Sequence, residues 1–304
     1  MRRISFLQDI FSTVLDRRSS SSVVEDGRSI QDLCLALLTS RGEVSGNRLA
    51  YNILARFEAA DETQQCEFFE WLLESLDINS DDATSAIDAY SKENSPANWQ
   101  SLIASTTPRR LELLRRINRT SESTGQLVSM RERLLALLPA NPQLERIDAD
   151  FEGLFKSWFN RGFLVLREID WRTPANILEK IIHYEAVHAI NDWQDLRRRL
   201  EPPDRKCFAF FHPAMQDEPL IFVEVALSSG LPDSIQTVLH AEREPIDVKE
   251  ATTAIFYSIS NCQPGLRGVT FGNFLIKHVA TELAAAYPDP VSYTHLTLPT
   301  TPYV

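Results

Sequence analysis

The side chains best placed to do chemistry lie between Thr252 and Tyr287. There TTAIFYSIS, rich in β-branched and aromatic residues, runs into the loop QPGLRG (residues 263–268) and then into an apolar-striped stretch. A strand that enters a helix through such a loop leaves the first helical N–H groups unpaired. Together with the helix dipole they make a ready anion site. Gly265 and Gly268 would let the backbone approach a phosphate closely and take positive φ, and Arg267 adds a cation. The set suits a pyrophosphate held without a metal. No Gly-Lys-Ser/Thr follows, so this is not a Walker loop. The preceding strands read as a meander and lack an acidic residue at the right distance, so it is not a dinucleotide fingerprint either. Two glycines after a strand also make an ordinary tight turn, and spacing alone leaves both readings open.

Other candidates are weaker. His183 and His188 form H-x-x-x-x-H, not H-E-x-x-H, and on a helix residues i and i+5 point about 140° apart, so no shared metal site is expected. His212, His240 and His278 have no ligand-like neighbours, and Ser258 and Ser260 lack the G-x-S-x-G elbow of a nucleophile. Cys34, Cys66, Cys207 and Cys262 show no C-x-x-C spacing and read as plain thiols of a reducing compartment. Arg109, Arg110, Arg115, Arg116 and Arg119 crowd one helix, and Arg197, Arg198 and Arg199 form a second run. Both read as solvated faces that pair with acids such as Asp77, Asp81 and Asp82, with a subunit contact as a further role.

The elements that must position these residues divide the chain. At about 150 residues per domain, 304 residues suggest two. Before residue 160 apolar residues recur with helical spacing. Examples are Ile30, Leu33, Leu37 and Leu38, then Leu49, Ile53, Leu54 and Phe57, then Leu127, Met130, Leu134 and Leu138. Asp61 and Gln64 predict a capping box before Phe68, Phe69 and Leu72, and Thr107 with Pro108 predicts a helix start. Another helix is expected near Gln143, carrying Phe151, Leu154, Phe155 and Trp158. From Gly162 the pattern changes. Strands are predicted at 163–169, 206–212, 219–227 and 252–260, the middle two joined as a hairpin through six residues. Helices are predicted after Thr173-Pro174, around Trp193 to Leu200, and from Val269 to Tyr287. The class is therefore α followed by α/β with a mostly antiparallel meander.

Composition excludes whole classes. With 31 Lys+Arg against 42 Asp+Glu the net charge is −11, which argues against a general nucleic-acid binder. No apolar run reaches a membrane span, since the best, from Leu220 to Leu227, is broken by Glu224. The N-terminal MRRISFLQDIFSTVLDRRSSSS carries Asp9 and Asp16 and reads as an amphipathic helix more than as a targeting peptide. Residues 291–304 hold no charged side chain where about three are expected. They are read as a non-native tail, similar to a translated sequencing adapter.

KIIHYEAVHAINDWQDLRRRL (residues 180–200), EPLIFVEVALSSGL (218–231) and TTAIFYSISNCQPGLRGVTFGNFLIKHV (252–279) resemble the malonyl-CoA decarboxylases. The resemblance runs over about residues 27–288 and is densest in the second half. It implies a helical oligomerisation domain at 1–156 and an incomplete GNAT-like acyl-CoA domain at 157–290. It also implies coenzyme A contacts at Pro264, Gly265, Leu266, Arg267, Gly268, Val269, Thr270 and Asn273. The implied substrate is malonyl-CoA, with no cofactor and no metal, in a cytoplasmic homo-oligomer. In the family a Ser-x-x-Ser-Pro turn with the catalytic serine follows the Phe-Leu-Ile-Lys helix, and a later Asn-Phe-His segment holds the histidine. Neither motif follows here, so no catalytic residue is assigned and the chain resembles a C-terminally truncated, inactive front portion. A GNAT-type acyltransferase or a non-catalytic acyl-CoA-binding protein are the alternatives.

Overall fold

Among the described residues eight helices form in the first half, most of them from its amphipathic repeats. A computed structural model of the chain describes residues 27–120, 122–232, 234–240, 243–287 and 292–295. The helices are α1 (Ile30–Thr39), α2 (Glu43–Ala59), α3 (Glu62–Ser75), α4 (Ser80–Lys92), α5 (Pro96–Ser105), α6 (Arg109–Ile117), α7 (Ser123–Leu137) and α8 (Glu145–Trp158). Asp61 and Gln64 cap α3 reciprocally, and Ser29 with Asp32 does the same for α1, a box that sequence reading missed. Pro108, not Thr107, is the N-cap of α6, and the Thr107 hydroxyl donates back to the Ile103 carbonyl. The α4–α5 pair was not read from sequence because its apolar residues are few: only Ala86 of α4 is buried, and none of α5 is.

The second half contains β1 (Val165–Ile169), α9 (Ala175–Tyr184), α10 (Trp193–Leu200), β2 (Arg205–His212), β3 (Met215–Ser228), α11 (Ile235–Leu239), β4 (Thr253–Asn261), α12 (Gly272–Ala286) and β5 (Ser292–His295). The sheet order is β1-β2-β3-β4-β5, antiparallel except for the parallel β4–β5 pair. The predicted meander is present, with two boundary corrections. The β2–β3 connection is two residues, not six, because β3 begins at Met215 and carries Pro219 through register shifts opposite Phe210 and Phe211. The last helix starts at Gly272, not Val269, because Leu266 accepts from the Val269 N–H in a separate turn. Residues 1–22 and most of 291–304, both singled out by sequence, lie outside the described residues.

Alternation gives the sheet two buried faces. One face carries Phe208, Phe210, Val223, Val225 and Phe256 and shares a single core with Leu113, Val128, Phe151 and Phe155 of the helices. The other carries Ala209, Phe211 and Phe222 against Ile177, Ile181 and Leu196 of α9 and α10, and Ile255 and Tyr257 against Val238 of α11. The helical unit thus packs on the sheet as one continuous core. Of the arginines crowded on and after α6, Arg109, Arg115 and Arg119 are solvated as expected and Arg116 is half-buried, but Arg110 turns inward. Arg110 is 2% exposed, its Nη1 reaching Asp77 at 2.8 Å and its Nε reaching Asp150 at 2.5 Å. Asp77, in the turn after α3, is the expected partner, but the pair is internal, and the Asp150 bond joins α6 to α8.

Candidate functional site

Between β4 and α12 the chain makes one tight turn, Pro264–Leu266, and then turns left-handed at Gly268, with φ +87°. The loop is tied to β3: Cys262 N donates to Leu220 O, and Gln263 Nε2 donates to Pro219 O. It is clamped harder from the helical unit. Arg131 of α7, 2% exposed, donates from Nη1 to the carbonyls of Gly265 at 3.0 Å and Arg267 at 2.6 Å, and from Nε to Asp148 at 2.7 Å. In a trans peptide N–H and C=O point oppositely. With the Arg267 carbonyl held by Arg131, the Gly268 N–H therefore points away from the helical unit. Among the described residues none accepts from the N–H of Gly268, Thr270 or Phe271, and α12 has no side-chain cap.

The eight singled-out residues divide accordingly. Pro264, Arg267, Gly268 and Thr270 are exposed, Val269 is half-buried, and Gly265 and Leu266 are buried. Asn273 lies in the first turn of α12, with its side chain outside the described set. Gly268 takes the expected positive φ, but Gly265 does not serve the expected purpose. The close approach it permits is to α7, where a Cβ would lie 2.0 Å from the Val128 carbonyl oxygen. Glu152 stands beside Gly268, and the hydrogen bond from Lys156 holds its carboxyl below the usual carboxylate range. Lys156 at 2.6 Å screens that negative charge from the loop. The sheet edge next to the loop is also open. β5 pairs only with Thr253 to Phe256, so among the described residues no strand lies on that side of β4 from Tyr257 to Asn261.

A second set of polar groups was missed by sequence reading. A bulge in β4 shifts the register, Glu224 facing Ser258 while Val225 faces Phe256, so Tyr257 and Ser258 turn to the same face. There Ser258 Oγ donates to both oxygens of Glu185, at 2.8 and 2.7 Å, and Glu185 also accepts from the Val187 and His188 N–H groups. Ala186 N donates to Ser260 Oγ. Glu224, fully buried, meets Arg199 Nη1 at 3.1 Å, while its other oxygen and the Tyr257 hydroxyl have no partner among the described residues. The available signal was Glu224 itself, one acid inside an apolar strand run. Burial, and then the negative charge of Glu185, push the Glu224 carboxyl up to about 8 despite Arg199. The folded chain therefore keeps this proton after the unfolded chain has lost it. The resulting stabilisation is complete below the ordinary carboxylate range and disappears as pH rises to about 8. Glu224→Gln is expected to flatten that decline, measured as urea stability at stepped pH. An unchanged slope would contradict the assignment.

Comparisons with known proteins agree with this architecture. Family models match residues 77–159 as "Malonyl-CoA decarboxylase N-terminal domain" and residues 162–302 as "Malonyl-CoA decarboxylase C-terminal domain". The second match runs into the stretch read above as non-native. The mitochondrial malonyl-CoA decarboxylase of Anser anser anser is 38% identical over 196 residues, which is 62% of this chain and 39% of that protein. Crystal structures of malonyl-CoA decarboxylase from Rhodopseudomonas palustris and Agrobacterium vitis superpose with a TM-score of 0.84 each, at 51% and 50% identity. Each comparison covers 88% of this chain and 65% of the solved one. The chain therefore spans about two fifths of the curated relatives' length in the matched region and just under two thirds of the solved chains.

Proposed function

This chain belongs to the malonyl-CoA decarboxylase family, and we propose that it forms the helical unit and the CoA-holding portion of an enzyme converting malonyl-CoA to acetyl-CoA and CO2. The observation that carries the reading is the clamped β4–α12 loop, which turns the Gly268 N–H outward and leaves the Thr270 and Phe271 N–H groups without an acceptor among the described residues, at a helix start. Arg267, Gly268 and Thr270 face the CoA pyrophosphate, with Pro264, Val269 and Asn273 flanking it. Gly265 and Leu266 frame the loop from inside. The amides of the pantetheine arm need partners, and the open edge of β4 beyond Phe256 is where an extended chain finds them.

The reaction breaks the bond between the α-carbon and the carboxylate. The electron pair stays on the α-carbon and spreads onto the thioester oxygen, CO2 leaves, and a proton then joins the carbon. Because the thioester is its own electron sink, the reading calls for CoA as part of the substrate and for no separate cofactor or metal. Donors at the thioester oxygen and a proton donor complete the machinery. The serine and histidine motifs that the resemblance assigns to these tasks are not in these 304 residues. The chain by itself is therefore expected to bind CoA without decarboxylating it.

Oligomerisation through the helical unit belongs to the same reading. It is supported by exposed Ile87, Trp99 and Ile103 on the α4–α5 pair. A cytoplasmic setting is supported by four thiols without disulfide partners, and no described helix is long and apolar enough to cross a membrane. Residues 291–304 are retained as non-native on their charge-free composition. An open β4 edge accepts any β-prone segment, so the pairing of Ser292–His295 does not discriminate.

The test uses labelled malonyl-CoA. The product of the whole source gene should release labelled CO2, while the 304-residue chain binds CoA and releases none above background. Gly268→Trp should weaken that binding at least ~10-fold, about 1.4 kcal/mol. Unchanged affinity in the variant, or turnover by the 304-residue chain, would contradict the reading. Acyl transfer without CO2 release would favour an acyltransferase.

A further inference from the structure

A pocket of about 60 Å³ opens between α10, the start of β2 and α11. Its lining includes Arg198, Arg199, Arg205, Arg243, His240 and Asp195. Among the described residues the acids nearby do not balance the four arginines. Arg243 is taken up by Asp204 through two 2.6 Å hydrogen bonds. Arg198 and Arg199 share Asp195, at 3.3 and 3.6 Å. Arg199 also meets Glu224, which holds its proton near neutral pH. Arg205 is 6% exposed and donates to the Val238 carbonyl over the Tyr257 ring, yet no carboxylate among the described residues lies within ion-pair distance of it. Arg199 is also 6% exposed, and its Nε has no partner among the described residues. A buried guanidinium without a counter-charge is costly unless an anion joins it.

We propose that this pocket is a binding site for a small, multiply charged oxyanion of the phosphate or dicarboxylate class. The volume admits more than one water-sized group but no nucleotide. Planar guanidinium forks suit two or more anionic oxygens at once. The site is separate from the CoA loop. Arg205 pairs with Ala226 of β3, whereas the loop end at Asn261 pairs with Ile221, five residues or about 17 Å along the strand.

Calorimetric titration of the 304-residue chain at constant ionic strength, with inorganic phosphate in one arm and malonate in the other, tests this. Saturable binding of one anion per chain is expected, and the tighter arm identifies the class. Arg205→Met should weaken it at least ~10-fold, and Arg198→Ala several-fold with CoA binding unchanged. The Arg198 side chain is 42% exposed, so that variant keeps the fold even where Arg205→Met does not. Absence of saturable heat for both anions, or undiminished affinity in Arg198→Ala, overturns the proposal.

Discussion

Replacing Gly265 by alanine is expected to lower stability by about 3 kcal/mol or more and to abolish measurable CoA binding. A Cβ at that position would lie 2.0 Å from the Val128 carbonyl oxygen, 2.8 Å from its carbonyl carbon and 2.9 Å from its Cγ1. Two of these are backbone atoms in the middle of α7, so no flexible tip can swing aside. The loop and the helix must separate, and the apolar surface of Leu266 is exposed with them. At roughly 2–4 °C per kcal/mol for a chain of this size, the melting temperature should fall by about 10 °C. Gly153→Ala in α8 is the matched control. No atom lies within 4 Å of its added Cβ, and a helical Gly→Ala change should raise stability by roughly 0.5–1 kcal/mol. Urea titration of both variants gives the comparison, and a neutral Gly265→Ala would contradict the loop placement.

Arg131→Met should be at least as damaging, by roughly 3–5 kcal/mol, the range for removing one partner of a buried ion pair. The change strips the Gly265 and Arg267 carbonyls of their donor and leaves Asp148 without its 2.7 Å partner. Methionine keeps most of the side-chain bulk, so the effect reports the lost guanidinium more than a cavity. The consequence for function follows from geometry. Without the clamp on the Arg267 carbonyl, the Gly268 N–H is no longer held outward, and CoA affinity should fall ~10-fold or more. Adding Asp148→Asn to Arg131→Met should recover part of the stability but none of the CoA affinity. Recovery of both would show that the ion pair, and not the carbonyl clamp, orders the loop.

Local patterns carried much of the architecture. Helical spacing located α1, α2, α3, α7 and α8, and the Asp61–Gln64 box marked the start of α3. The β-rich runs located β2, β3 and β4, and of the two loop glycines expected to take positive φ, Gly268 does and Gly265 does not. What escaped depends on partners distant in sequence. Gly265 reads like a phosphate-loop glycine, yet the atom it makes room for is 137 residues earlier, at Val128. Arg110 and Arg131 look like surface charges on amphipathic helices, because no local rule shows that Asp150 and Asp148 will meet them in the interior. The polar face of Glu185, Glu224 and Ser258 depends on a one-residue bulge at Tyr257, which turns a side chain that strict alternation would send to the other face.

The central claim is that the loop between β4 and α12 holds the pyrophosphate of CoA, and amide hydrogen exchange with and without CoA tests it most directly. Saturating CoA should slow exchange at Gly268, Thr270 and Phe271, whose N–H groups lack acceptors among the described residues. Exchange in α4, away from the loop, should be unaltered. Protection confined to other segments, with these three amides exchanging at the same rate in both conditions, would contradict the account.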